Sequence, residues 1–245
     1  QDDQGSGAHN PLYSQEYTDR MKKYYTLNSI IFAKVKLPFG ITYTANFTPE
    51  FEWYQYFNHY SSKDQDYTKL GGTAERDQHQ IFQWQLDNII NWNKTFKGQH
   101  HFEVTLLANS EKYQYWENDM QTQGFDPSDA LGYHNFAAGN SPVITSDDEY
   151  STGAALMARV FYSYKDRYML TGSIRRDGYS AFGQKYPWAD FPALAAGWVF
   201  SQEPFLQSWS DWLSFGKLRL SYGVNGNRDI GRYIALSDLT TGKYL

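Results

Sequence analysis

The sequence predicts an all-β fold, an antiparallel transmembrane β-barrel. Apolar residues recur with a period of two, tight turns alternate with long polar links, and aromatic residues gather near the tight turns. Successive strand side chains point to opposite faces, so a period of two gives a segment one apolar and one polar face. Composition agrees: 8 Trp, 21 Tyr and 16 Phe make up 18% of the 245 residues, and aromatic residues favour strands.

Eight strands are expected. The first sets Ile31, Ala33, Val35 and Leu37 against Phe32, Lys34 and Lys36. Pro38-Phe39-Gly40 turns it into the second, where Ile41, Tyr43, Ala45 and Phe47 oppose Thr42, Thr44 and Asn46. The third sets Trp84, Leu86, Ile90 and Trp92 against Gln83, Gln85, Asp87 and Asn91, and only Asn88 breaks its apolar face. Phe96-Lys97-Gly98 leads to the fourth, with Phe102, Val104, Leu106 and Ala108 opposite Glu103, Thr105 and Asn109. The fifth, at 153–164, carries apolar or small residues on both faces. The Tyr-Lys-Asp-Arg turn at 164–167 opens the sixth, with Tyr168, Leu170, Gly172 and Ile174 against Thr171, Ser173 and Arg175. The seventh, at 193–200, is again two-sided, and the eighth sets Leu218, Leu220, Tyr222 and Val224 against Lys217, Arg219 and Ser221.

Gly or a polar pair at the bend suits a hairpin. The links at about 48–80, 112–150 and 176–190 are long and polar. Short turns at one end and long loops at the other is the layout of an outer-membrane barrel. The link between the seventh and eighth strands is longer than the other turns, and one short helix is expected over Glu203–Trp209. Phe39, Trp92, Phe96, Phe102, Tyr162, Tyr164 and Tyr168 lie near the tight turns, as an interfacial aromatic girdle would. Alternation does not say which face is inside: a soluble β-sandwich or lipocalin-like barrel has the same period with its apolar face inward. The most apolar stretch, Phe191–Phe200, is about half the length of a bilayer-spanning helix, so no transmembrane helix is expected. The opening QDDQGSGAHN has neither a basic start nor an apolar run, and the first residue is not Met; the chain is expected to be a mature product or a cut piece.

Several chemistries are set aside. With 27 Asp+Glu against 22 Lys+Arg the net charge is −5, which argues against a nucleic-acid partner. The absence of Cys removes disulfides, thiolate metal sites and thiol nucleophiles. His100 and His101 are adjacent, so a strand sends them to opposite faces; the other histidines are scattered, and no metal or other cofactor is expected. Glycines 223, 226 and 231 precede no helix that would cradle a phosphate and read as a loop. The acidic run Asp147, Asp148 and Glu149, with Asp126 and Asp129, lacks EF-hand spacing and reads as solvated loop. No nucleophile elbow or zincin motif occurs, and no catalysis is expected.

Two groups are candidates for substrate contact. Phe51, Trp53, Tyr54, Tyr56 and Phe57 lead into the second long link, and Trp and Tyr stack well on sugar rings or other flat apolar faces. Trp53, Tyr54 and Tyr56 are therefore candidate contacts, although a strand projecting above a membrane would also be rich in Tyr. Arg175 shares a face with Thr171 and Ser173 and reads either as a lumen-side contact or as part of a salt-bridged rim with Arg176 and Asp177.

From residue 151 onward the text is more specific. YKDRYMLTGSIRRDGYSAFGQKYPWADFPALAAGWVFSQEPFL, followed by WLSFGKLRLSYGVNGNRDIG, resembles the SusC/RagA family of TonB-linked outer-membrane transporters. The Tyr-Lys-Asp-Arg-Tyr turn, the Ser-Ile-Arg-Arg-Asp-Gly strand end, the Phe-Gly pair at 182–183, the Phe-Pro-Ala-Leu strand, the Glu-Pro-Phe turn and the Leu-Arg-Leu-Ser-Tyr-Gly strand come in the family's order. GQHHFEVTLLANSEKYQYWENDM looks like an earlier strand of the same barrel, and the resemblance runs from about Asn28 to Gly231.

The resemblance implies a 22-stranded barrel, of which eight strands are about a third. It assigns residues 1–245 to the barrel domain, with the plug and TonB box outside this chain. It further implies a place in the bacterial outer membrane among membrane lipid, and import of glycans or oligopeptides with a SusD-like surface lipoprotein. The TonB complex would supply the energy through the plug. Two other readings stay open on the residues alone: a self-contained eight-stranded porin-like channel or adhesin, and a soluble carbohydrate-binding β-sandwich. An isolated open piece would expose two strand edges and is expected to aggregate or stay disordered.

Overall fold

The computed structural model describes residues 11–180, 188–209 and 211–226. The middle of the expected 176–190 link, the Phe182-Gly183 pair and the end of the glycine-bearing 223–231 loop lie outside the described residues. A short helix, α1 (Pro11–Glu16), precedes nine strands: β1 (Thr18–Asn28), β2 (Ile31–Leu37), β3 (Ile41–Tyr60), β4 (Thr73–Phe96), β5 (His100–Gln123), β6 (Val143–Tyr164), β7 (Tyr168–Tyr179), β8 (Trp188–Trp198) and β9 (Leu218–Gly223). They form one sheet in the order β1-β3-β4-β5-β6-β7-β8-β9, and β2 also pairs with β3. The pairings of β1 and β2 with β3, and of β6 through β9 in succession, are antiparallel.

All eight expected strands are present, with β1 as a ninth that the alternation did not single out. The long links were expected as loops, but much of them is strand: β3, β4, β5 and β6 run for 20, 24, 24 and 22 residues. A tilted membrane strand needs only about 9–11 residues. Beyond that length no lipid demands an apolar face, and alternation fades while backbone pairing continues. The acidic run Asp147–Glu149 accordingly lies on β6. The helix expected over Glu203–Trp209 is two 3₁₀ turns, Phe200–Gln202 and Pro204–Trp209.

The chain divides into two compact units, Gln1–Asn28, Glu50–Phe82 and Gln114–Tyr150 in the first, and Ser29–Pro49, Gln83–Tyr113 and Ser151–Leu245 in the second. In the first unit β1 pairs with Glu50–Tyr60 of β3, and Phe57, Ala74 and Tyr133 form a buried cluster with Met21, Phe125 and Phe136 packed on it. The Phe57 and Tyr133 rings stack at 5.4 Å. The segment between β5 and β6 supplies Phe125, Tyr133 and Phe136, so it is an ordered cover. It is clasped by Asp129, which accepts hydrogen bonds from the Ser61 hydroxyl at 2.9 Å and from the Ser62 N–H, with His59 Nε2 at 3.7 Å. Gly132 closes this cover at φ 44°, where a Cβ would sit 2.6 Å from the His59 ring.

The second unit holds the tight turns. Lys97 and Gly98 have φ of 50° and 65°, and Lys165 and Asp166 both 52°. Two successive left-handed residues make the turn whose twist matches a two-residue hairpin. The closing hydrogen bonds run from Gln99 N–H to the Phe96 carbonyl and from Arg167 N–H to the Tyr164 carbonyl, at 3.1 and 3.0 Å.

The expected girdle residues touch one another here. Trp92 lies 6.4 Å from Phe96, Phe96 5.9 Å from Phe102, and Phe102 4.7 Å from Tyr162. The Trp92 indole donates to the Phe39 carbonyl at 3.1 Å. At the same strand ends buried Glu203 accepts from Arg167 Nη1 at 3.0 Å, from Trp198 Nε1 at 2.9 Å and from the Tyr168 hydroxyl.

The direction of the apolar face is the informative feature of this unit. Ile31, Val35, Ile90, Leu106, Leu156, Val160, Leu170, Ile174, Leu194, Leu218 and Leu220 are all exposed, whereas the described buried hydrophobics are only Ala155 and Val199. A water-soluble protein seldom exposes a contiguous apolar surface beyond a few hundred Å². Asn88, the one break in the apolar alternation, is matched: the Tyr43 hydroxyl donates to its Oδ1 at 2.6 Å.

Candidate functional site

Strand parity separates the aromatic candidates. Trp53 lies on β3 with the parity of Phe51, which stacks on it at 5.7 Å and on Phe82 at 4.5 Å. That is also the parity of Ile41, Tyr43, Ala45 and Phe47. Tyr54 and Tyr56 point to the opposite face. There Tyr54 packs on the His79 ring at 4.4 Å and on Tyr24 at 6.2 Å, with the Lys22 ammonium 5.1 Å from its centroid. His79 stands 3.7 Å from Glu52 and 5.5 Å from the Tyr115 ring. The residue pattern thus gathers Tyr54 and Tyr56 on one surface and leaves Trp53 on the other.

The tyrosine face of the first unit contains a polar concavity of about 370 Å³, whose lining includes Asn58, Tyr60, Glu75, Gln121, Gln123 and Ser141. Arg20, from β1, braces it by donating to Asn58 Oδ1 at 3.4 Å and to the Tyr60 hydroxyl at 2.6 Å. Burial and the neighbouring Asp119 charge push the Glu75 carboxyl up from its ordinary pKa. Burial and Glu117 do the same to Asp77. The Tyr56 phenol is raised by burial, opposed by Arg20. The face therefore offers flat rings beside amides, a guanidinium and carboxylates, a set that holds hydroxyl- or amide-bearing molecules by stacking and hydrogen bonding. Asn58, Tyr60 and Glu75 were not among the sequence candidates, although counting by twos from Tyr54 reaches Asn58 and Tyr60.

Arg175 belongs to the second unit. Its Nε donates to both oxygens of Asp177, at 2.8 and 3.0 Å, two residues along the same face of β7. Arg176, on the other face, lies 3.7 Å from Asp190 and 5.7 Å from the Trp188 ring. The salt-bridged rim is present, and Arg175 retains donors beyond its Nε. His100 and His101 go to different partners, the Tyr162 hydroxyl at 2.9 Å and Glu103 at 3.0 Å. Among the described residues no group of three or more His, Asp or Glu side chains is placed to hold a metal ion. No described helix is long and apolar enough to cross a membrane, which says nothing of a β-barrel.

A sheet with tight two-residue turns, strands longer than a bilayer requires, and an apolar face turned outward defines the wall of an outer-membrane β-barrel. No family model matches the chain. A TonB-dependent receptor of Formosa agariphila is 31% identical over 232 residues, 93% of this chain and 22% of the relative. The TonB-dependent receptor SusC of Bacteroides thetaiotaomicron is 40% identical over 142 residues, 55% of this chain and 13% of that protein. Among solved structures, the RagAB peptide importer in its open-open state matches 96% of this chain and 26% of that chain, with a TM-score of 0.85 at 18% identity. The RagAB peptide transporter matches 90% of this chain and 24% of that chain, with a TM-score of 0.82 at 20% identity. The chain belongs with the SusC/RagA family of TonB-linked outer-membrane proteins. It spans about a fifth of the length of the first curated relatives it matches.

Proposed function

We propose that the chain forms part of the barrel of a TonB-dependent importer in the bacterial outer membrane. Such a protein would take up glycans or oligopeptides together with a SusD-like surface lipoprotein, with the TonB complex acting through a plug domain. The observation that carries this reading is the outward apolar face of the second unit; the first unit separately carries a polar, tyrosine-bearing face. A soluble carbohydrate-binding sandwich would bury those leucines and isoleucines. The relatives named above are receptors and transporters rather than enzymes.

Within this reading Tyr54 and Tyr56 stack against substrate in the first unit, and Arg175 is a separate donor in the second. Trp53, on the other face from the tyrosines, would meet the same molecule only at a strand edge. Uptake by cells carrying the full-length protein tests the proposal. Labelled glycan and oligopeptide mixtures should enter only with an intact TonB complex, and uptake that persists without TonB would leave a passive channel instead. Replacing both Tyr54 and Tyr56 with Ala should weaken binding about tenfold, at roughly 0.5–1.5 kcal/mol per stacked ring. Unchanged affinity would remove them from the site.

A further inference from the structure

Among the described residues, the link between β8 and β9 is the one connection at the tight-turn end that is not tight, and its described residues are well held. Phe200 lies against Gly216, where a Cβ would come within 2.4 Å of its ring, and Ser201 N–H reaches the Gly216 carbonyl at 3.3 Å. Glu203 anchors the same stretch through Arg167, Tyr168 and Trp198. Leu213 N–H returns to the Trp209 carbonyl at 2.9 Å. A loop held this firmly at its base nevertheless leaves its largest apolar side chains outside: Phe205, Trp209, Trp212 and Phe215 are 69%, 50%, 72% and 65% exposed.

We infer that this loop is a membrane-interface anchor, resting its four aromatic side chains in the phospholipid headgroup layer at the tight-turn end of the barrel. The inference depends on the membrane reading given above. Three observations select the occupant. First, the loop joins strands whose exposed Leu194, Trp198, Leu218 and Leu220 belong to the outward apolar face, so it continues a surface that already meets lipid. Second, Trp209 and Trp212 pair at 5.6 Å, and Trp is the residue that prefers the boundary between hydrocarbon and water. Third, the loop carries little free charge: Glu203 is buried and paired with Arg167, which leaves Asp211 and Lys217 to offset each other. That composition fits zwitterionic phospholipid, with attachment by apolar area rather than by attraction to anionic lipid.

The test uses the full-length protein in phosphatidylcholine vesicles, with a single spin label at Phe215→Cys and a reference label at Leu170→Cys on the apolar face of β7. This chain has no cysteine of its own, so each label is unique within it. The expected result is a Phe215 label shallower than the Leu170 label, yet protected from a water-soluble relaxing agent. If the Leu170 label is in lipid while the Phe215 label is fully water-accessible, or is shielded from oxygen and aqueous agent alike, the anchor is overturned and the membrane reading stands. If the Leu170 label is itself in water, the membrane reading fails first. A second readout does not depend on the cysteine variants folding. Trp212 emission, taken as the difference between the parent and Trp212→Phe, should be quenched at least about twofold more by lipid brominated near the headgroup than near the chain end, as interfacial Trp is. Equal quenching, or none, overturns the anchor.

Discussion

The two units solve the same problem in opposite ways. The first gathers Phe57, Ala74 and Tyr133 into a small core under the cover between β5 and β6, and turns Glu75, Asp77 and His79 away from it. The second has almost no buried apolar residues among those described and shows its leucines and isoleucines outward. Both are built on long β-strands, and several strands contribute residues to each. What differs is the solvent that each stretch of strand must satisfy. Where water is the medium, apolar groups need a protein cover; where hydrocarbon is the medium, the outward face needs none.

The largest effects should come from reversing those solutions. Phe57→Ala empties the centre of the first unit and should cost about 3–5 kcal/mol, the range for a buried aromatic ring. Limited proteolysis should then cut at 124–142 while the barrel keeps its resistance to denaturant. Leu156→Arg puts a charge on the outward face of the second unit and should cost about 2–4 kcal/mol if that position lies near the bilayer midplane. It would be read by unfolding from vesicles. The same substitution at Ser173, on the polar face of β7, should cost far less, and equal penalties at the two positions would erase the contrast. Tyr43→Phe removes the hydrogen bond to Asn88 and should cost about 1–3 kcal/mol, the penalty of a desolvated amide left without its partner. Asn88→Leu in the same background should recover most of that loss.

Acidity should also separate the faces of the first unit. Burial holds His59 below its usual pKa, despite the nearby Asp129 and Asp19 charges. Burial pushes Asp129 up, but the bonds from Ser62 and Ser61 outweigh it and hold the carboxyl below its ordinary value. For both groups the folded pKa is depressed, so their stabilisation is present above the unfolded pKa and is lost as pH falls through the folded value. The cover should therefore loosen first below the ordinary imidazole range and again below the carboxylate range. Hydrogen exchange in 124–142 would show both steps, and His59→Gln should abolish the upper one. Glu75 and Asp77, with raised values, act in the opposite sense: their contribution is full below the ordinary carboxylate pKa and is lost as pH rises through the folded pKa.

Legibility in the sequence followed the same division. The strands of the second unit could be read by eye because lipid on one face enforces a period of two. β1, Thr18–Asn28, was missed because TDRMKKYYTLN has no lipid to satisfy and alternates nothing consistently. The outer stretches of β3 to β6 read as loops in the sequence for the same reason. β1 and β2 keep the same register against β3 on either side of a pause opposite Pro49, which has no N–H to donate. Of the candidate contacts, parity could already have placed Trp53 with Phe47 and Tyr43. The concavity lined by Asn58, Glu75 and Gln121 could not be foreseen, since it depends on which strands are neighbours.

The convergence on Glu203 has a mechanical meaning. Arg167 belongs to one hairpin turn, Tyr168 to the start of the strand that follows it, and Trp198 to the end of the next strand, and all three are tied to a single carboxylate. A tug on any one of these strand ends is shared at once with the others, so the rim resists peeling as a hem resists fraying.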